Sequence, residues 1–117
     1  HSLCSAEKFE QVIRSYPDLR ICVPHMGADE FEAYEQMLER YDNLWLDTTM
    51  TVAEYLPIDY FPDLSKMRAD RIIFGTDFPN IPYAWDRELK RLCQLKLPED
   101  RLALILGENA KHLFSIN

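Results

Sequence analysis

The sequence predicts an α/β fold in which short parallel strands alternate with helices. Three observations carry that reading. The runs Leu19–Val23, Leu44–Leu46 and Arg71–Phe74 are short and largely apolar, and the last carries two β-branched isoleucines after its arginine, as a strand buried on both faces does. The segments between them carry apolar residues at helical spacing. No Asn-Gly, Asp-Gly or similar two-residue turn joins any two strands, so the strands pair in parallel through crossovers, right-handed by rule. The order is α-β-α-β-α-β-α in one domain, 1–117, with no repeat, linker or composition break.

Taken in order, Ser5 stands as an N-cap before a helix from Ala6 to Tyr16, whose Phe9, Val12, Ile13 and Tyr16 form one face. Pro17-Asp18 ends it, and the strand Leu19–Val23 stops at Pro24, with His25-Met26-Gly27 just beyond. Asp29 to Tyr41 predicts a second helix with Phe31, Tyr34, Met37, Leu38 and Tyr41 inward. The strand Leu44–Leu46 leads into Asp47-Thr48-Thr49. Residues 50–70 are the least regular part; Thr51–Leu56 and Leu64–Ala69 read as short helices around Pro57 and Pro62. The strand Arg71–Phe74 opens at Gly75, which lets the chain turn without a side chain in the way, and Pro79 forbids the ladder to continue. A helix over Tyr83–Leu95, with Trp85, Leu89, Leu92 and Cys93 inward, precedes a further helix over Glu99–Leu106 that starts at Pro98. Gly107 is expected to break that helix before a last piece over Asn109–Phe114. Trp45, Trp85 and the tyrosines are expected in the core.

The bulk properties narrow the function classes. The 117 residues suffice for one core, and an apolar fraction of 47% with 28% charged residues is that of an ordinary globular chain rather than a disordered one. A net charge of −7 argues against nucleic acid as a partner, since phosphate binding needs a basic face. No apolar run is long enough to span a membrane, and the start lacks the pattern of a signal peptide. Cys4, Cys22 and Cys93 are odd in number and far apart, which fits buried free thiols and a cytoplasmic location better than disulfides or a zinc knuckle. The chain begins with His1 rather than Met, so a processed product, a tag remnant or a piece of a longer chain is expected.

His25, Asp47 and Asp77 each stand just past a strand, at intervals of 22 and 30 residues. A βα unit is about that long, which assigns all three to one edge of the sheet, where α/β proteins place their chemistry. Stepping back 24 residues from His25 lands on His1, which would stand at the end of a preceding strand. Each residue also has a plainer reading. Asp77 can cap a turn, His25 can bond a loop carbonyl, His1 can be a tag remnant, and Asp47 with Thr48 and Thr49 can cap a helix rather than shape a pocket. His112, beside Lys111, reads as surface; Asn109 reads as a lock on the last helix through backbone hydrogen bonds; Phe78 is a candidate pocket wall.

Three segments together resemble one family. Tyr16-Pro17-Asp18-Leu19-Arg20-Ile21-Cys22-Val23-Pro24-His25-Met26-Gly27 is similar to the HxG segment of the second amidohydrolase family. Arg71-Ile72-Ile73-Phe74-Gly75-Thr76-Asp77-Phe78-Pro79 resembles its eighth-strand segment, and Gly107-Glu108-Asn109-Ala110-Lys111-His112-Leu113-Phe114 its closing one. The family comprises TIM-barrel metal-dependent hydrolases and decarboxylases, aminocarboxymuconate-semialdehyde decarboxylase among them. The resemblance covers essentially the whole chain, yet corresponds to about the last three and a half of eight βα units. The first-strand HxH, which supplies two metal ligands in the family, has no counterpart here.

The resemblance implies His25 and Asp77 as catalytic residues, and His1, His25 and Asp77 as ligands of a divalent metal, zinc first and manganese next. It implies hydrolysis or non-oxidative decarboxylation of a small carboxylic-acid or cyclic substrate. A part-barrel has open strand edges and a bare inner face. The expected partners are therefore the missing N-terminal barrel part, as the tail of a longer protein, or a second copy in a homo-oligomer, and no nucleic acid or membrane. The segment alone is expected to be inactive and to hold metal weakly. The contrasting reading is a non-enzymatic α/β binding or assembly module, or an inactive fragment, which a native chain of 117 residues would favour.

Overall fold

Why the strands pair as they do follows from which side chains each face buries. In the computed structural model, which describes residues 5–55, 57 and 59–116, β1 (Ile21–Val23), β2 (Leu44–Asp47) and β3 (Ile72–Ile73) form a parallel sheet in the order β1-β2-β3. Ile21 pairs with Leu44, Val23 with Leu46, and Leu46 in turn with Ile72. This register puts Ile21, Val23, Leu44, Leu46, Ile72 and Phe74 on one face, packed with Ile13, Met37, Leu38, Leu92 and Ile105 from the helices. Cys22, Trp45 and Ile73 alternate onto the opposite face against Ala110 and Leu113. Leu44, Leu46 and Ile72 are wholly buried, and each such side chain stabilises the fold by about 1.5–3 kcal/mol.

Helix α1 (Ala6–Ser15) leads into β1, α2 (Phe31–Arg40) carries the crossover from β1 to β2, and the irregular stretch 48–71 connects β2 to β3. Ser5 caps α1 by accepting from the Lys8 N–H at 3.4 Å, as expected, and Glu30 reaches back to accept from the Ala6 N–H at 2.8 Å. Asn43, between α2 and β2, donates to the carbonyls of Ile13, Tyr16 and Leu19, tying the end of α1 to the sheet.

The irregular stretch departs from expectation. Thr51–Ala53 and Leu64–Met67 form turns rather than helices, and Leu56, the end of the first expected helix, lies outside the described residues, as do His1 and Cys4. A 3-10 turn (Ala69–Arg71) takes the first residue of the expected third strand, whose Arg71 stacks on Trp45 at 4.6 Å. The expected helix 83–95 shortens to α3 (Arg87–Gln94). Trp85 and Cys93 stand exposed rather than inward, as do Tyr16, Tyr55 and Tyr60. Cys22 alone among the described thiols is half-buried, and burial beside Asp47 pushes it up to about 12.

Gly107 does not break the last helix. α4 (Glu99–Ala103) passes through a π-helical turn (Leu104–Glu108) into α5 (Asn109–Leu113), and the glycine is absorbed in the wider turn. That helical run covers the outer strand: the Phe74 N–H donates to Ile105 O at 2.9 Å, and buried Asn109 donates to Ala69 O at 2.6 Å and Ile72 O at 2.8 Å. Asn109 is thus the expected lock, and the β3 side of the sheet is less bare than a cut barrel implies.

Candidate active site

Parallel pairing fixes which residues share an edge. His25 follows β1, Asp47 closes β2, and Asp77 follows β3 after Gly75 and Thr76, so all three stand at the carboxyl ends of neighbouring strands. His112 lies exposed on α5, near the Trp45 ring, away from that edge as expected.

Asp47 joins two of the strand ends. Its Oδ1 accepts from the His25 N–H at 2.9 Å, the Thr49 N–H at 3.1 Å and the Thr49 hydroxyl at 2.5 Å. The His25 N–H also approaches Thr49 Oγ1 at 3.3 Å. His25 Nδ1 lies 2.9 Å from Thr49 Oγ1 and 3.0 Å from Thr49 O. Asp47 and Thr49 therefore do more than shape a pocket: they hold the loop that carries the histidine. That loop runs through consecutive left-handed residues, His25 (φ 55), Met26 (φ 51) and Gly27 (φ 77). At Gly27 a Cβ would also collide with the Tyr34 ring, which explains the glycine. Beside His25 lies a cleft of about 160 Å³ walled by Ala28, Phe31, Thr49 and Met50.

Asp77 itself has φ 65, a left-handed conformation that aspartate tolerates better than most residues. Its turn is closed by the Asn80 N–H on Asp77 O at 2.8 Å and by Asn80 Nδ2 on Oδ1 at 3.4 Å, while Thr76 Oγ1 accepts from the Phe78 N–H at 3.1 Å. Phe78 is exposed. Gly75 is needed for close approach rather than for its own φ, because a Cβ there would run into Thr49 Cγ2. The third strand end thus packs directly on the threonine that contacts His25.

One residue escaped the sequence reading. Glu88, in the first turn of α3, is completely buried, and among the described residues no group makes a full hydrogen bond to either carboxylate oxygen. Burial pushes its pKa up to about 7 against the pull of the Met50 backbone N–H, which approaches the carboxylate without the geometry of a full hydrogen bond, and the negative charges of Asp47 and Asp77 push it up further. The Tyr83 hydroxyl, also buried and unpartnered, is raised to about 12 by burial and by Glu88. α3 is locked in place over this spot by Arg87, which donates to Ala53 O at 2.7 Å and lies over the Tyr55 and Tyr83 rings, and by the Arg91–Glu54 ion pair. Nothing in the sequence marked Glu88, since a glutamate in a charged helix is ordinarily solvated.

As a metal site the described residues are incomplete. His25 and Asp77 are donors of suitable type, but no three His, Cys, Asp or Glu among the described residues cluster closely enough to hold an ion, and a catalytic zinc centre takes three protein donors. None of the described helices is long and apolar enough to cross a membrane.

Parallel strands that gather polar residues at their carboxyl ends fit a segment of a TIM barrel. The chain belongs to the amidohydrolase family, whose model, described as Amidohydrolase, matches residues 5–116. Among solved structures it is similar to an uncharacterized TIM-barrel protein from Bordetella bronchiseptica, with a TM-score of 0.78 and 26% identity over 94% of this chain and 39% of that one. It shares its fold with the 5-carboxyvanillate decarboxylase LigW from Sphingomonas paucimobilis, with a TM-score of 0.59 and 20% identity over 91% of this chain and 36% of that one. The chain therefore spans well under half the length of these structures. No curated protein matches it.

Proposed function

We propose that this chain is the C-terminal part of a metal-dependent amidohydrolase-family enzyme that acts on a small carboxylic-acid or cyclic substrate, by hydrolysis or non-oxidative decarboxylation. The observation that carries the reading is the gathering of His25, Asp47 and Asp77 at the carboxyl ends of three adjacent parallel strands in a chain that belongs to this family. Asp77 and His25 are the catalytic pair in this reading. A carboxylate at a strand end can take a proton from substrate or water, and an imidazole can give or take one near neutral pH.

The metal, zinc or manganese, is part of the proposal, with His25 and Asp77 as ligands from the described residues, His1 as a third, and the remainder from outside this chain. When bound, such an ion polarises a substrate carboxylate or carbonyl. The partner that completes the site is the rest of the barrel, in keeping with the share of the related structures that this chain covers. A cytoplasmic location goes with the free, partly buried Cys22.

The test uses the full-length protein, loaded with zinc, against aromatic carboxylic acids and cyclic amides or esters. Release of carbon dioxide or of a ring-opened acid, lost in Asp77→Asn, is expected. Turnover of these substrates that is unchanged in Asp77→Asn, or none in the wild type, would overturn the reading.

A further inference from the structure

We infer that Asp47 and Thr49 are positioning residues that fix the ring of His25 with its proton on Nδ1 and its free electron pair on Nε2, so that His25 works through Nε2. The inference rests on the reading of His25 as a site residue given above, and adds to it which nitrogen acts and what holds it there.

The argument follows the protons. Two oxygens face Nδ1, Thr49 O at 3.0 Å and Thr49 Oγ1 at 2.9 Å. A carbonyl oxygen can only accept. The hydroxyl has one proton to give, and that proton is committed to Asp47 Oδ1 at 2.5 Å, the shortest bond of the group. Thr49 Oγ1 therefore meets the ring with a lone pair, and both neighbours of Nδ1 demand a donor. The neutral ring must carry its proton there. Free neutral histidine prefers its proton on Nε2, so the network reverses the ring's own preference. Among the described residues Nε2 has no hydrogen-bond partner, which leaves its lone pair available to a proton or an ion.

The backbone is held by the same groups. His25 and Met26 occupy left-handed conformations that cost roughly 1–2 kcal/mol each in a residue with a Cβ. Such conformations persist only where surrounding bonds over-determine them. Here Asp47 Oδ1 takes the His25 N–H at 2.9 Å together with both donors of Thr49, so one carboxylate oxygen binds the end of β2 to the turn after β1. If Nε2 takes up a proton, Nδ1–H keeps its bond to Thr49, whose own O–H points on to the Asp47 carboxylate. Base, orienting hydroxyl and half-buried carboxylate then stand in series, as an oriented base requires.

The experiment is nitrogen-15 NMR of the full-length protein labelled at histidine, stripped of metal by a chelator so that no bound ion dictates the ring's state. It is recorded about two pH units above the ordinary imidazole pKa of about 6.5, with the His25 signals assigned by their loss in His25→Gln. A ring protonated on Nδ1 is the expected result, and one protonated on Nε2 overturns the inference. In the active enzyme, Thr49→Val should lower kcat by about 10- to 100-fold with a smaller change in KM, and Thr49→Ser should restore it. Equal kcat in Thr49→Val and wild type would overturn the role of the hydroxyl. A wild type without turnover would refute the functional reading instead, and the ring's tautomer would still decide the inference.

Discussion

Glu88→Gln isolates the cost of a carboxyl group sealed from water behind two others. In the folded chain the group titrates at about 7, against an ordinary value of 4.5. A carboxyl whose pKa rises on folding binds more protons in the native state than in the unfolded one, so stability falls as pH climbs between those two values. At about 1.4 kcal/mol per pH unit, the shift bounds the cost at about 3 kcal/mol, fully expressed above pH 7. Glutamine has nearly the same shape and no charge to lose, so its stability lacks this component. Urea unfolding of wild type and Glu88→Gln at about pH 5 and about pH 8.5 would read the difference, and other titrating groups cancel in the comparison. The variant should be close to wild type at the lower pH and more stable by about 2–3 kcal/mol at the higher. A Glu88→Gln protein that is less stable than wild type at pH 8.5 would refute the reasoning, because it would mean that Glu88 is ionised and paired with a cation.

Further outcomes follow from the same contacts. Gly75→Ala should destabilise the fold by about 1–3 kcal/mol, since the added methyl displaces Thr49, and should lower turnover of the full-length enzyme along with Tm. Asn109→Ala strips the donor from two backbone carbonyls and should cost about 1–3 kcal/mol by urea unfolding, whereas Asn109→Asp should cost at least as much by setting a carboxylate against carbonyl oxygens. Asp77→Asn should lower kcat by about 10²- to 10⁴-fold through loss of the base alone while circular dichroism stays unchanged. His25→Asn should be comparably slow, and metal content measured on both variants separates a ligand from a proton carrier.

How far the sequence reached depends on how local each cause was. Strands were legible because Leu44, Leu46, Ile72 and Ile73 are apolar on both faces of the sheet, and the edge shared by His25, Asp47 and Asp77 followed from their spacing. The Asn109 lock was legible as an asparagine that begins the last helix and can bond backbone groups. Trp85 was misplaced because helical periodicity was extended back across a loop that begins its helix only at Arg87. Gly107 was misjudged because propensity does not register that the C-terminal run widens into a π-turn while Ile105 bonds to the strand. Gly75 was read as a turn residue, and its true constraint is a side chain from another strand end. Glu88 was invisible for the same reason: α3 buries it near Met50, Asp47 and Asp77, a long-range fact that no local pattern records.

The most direct test of the account is where a metal binds in the full-length protein. Anomalous scattering at the zinc edge, from crystals of the full-length protein grown with zinc, should place an ion about 2.0–2.2 Å from an Asp77 carboxylate oxygen, at the strand ends that carry His25 and Asp47. Zinc bound only elsewhere, with Asp77 still closed on Asn80 and touching no ion, would contradict it.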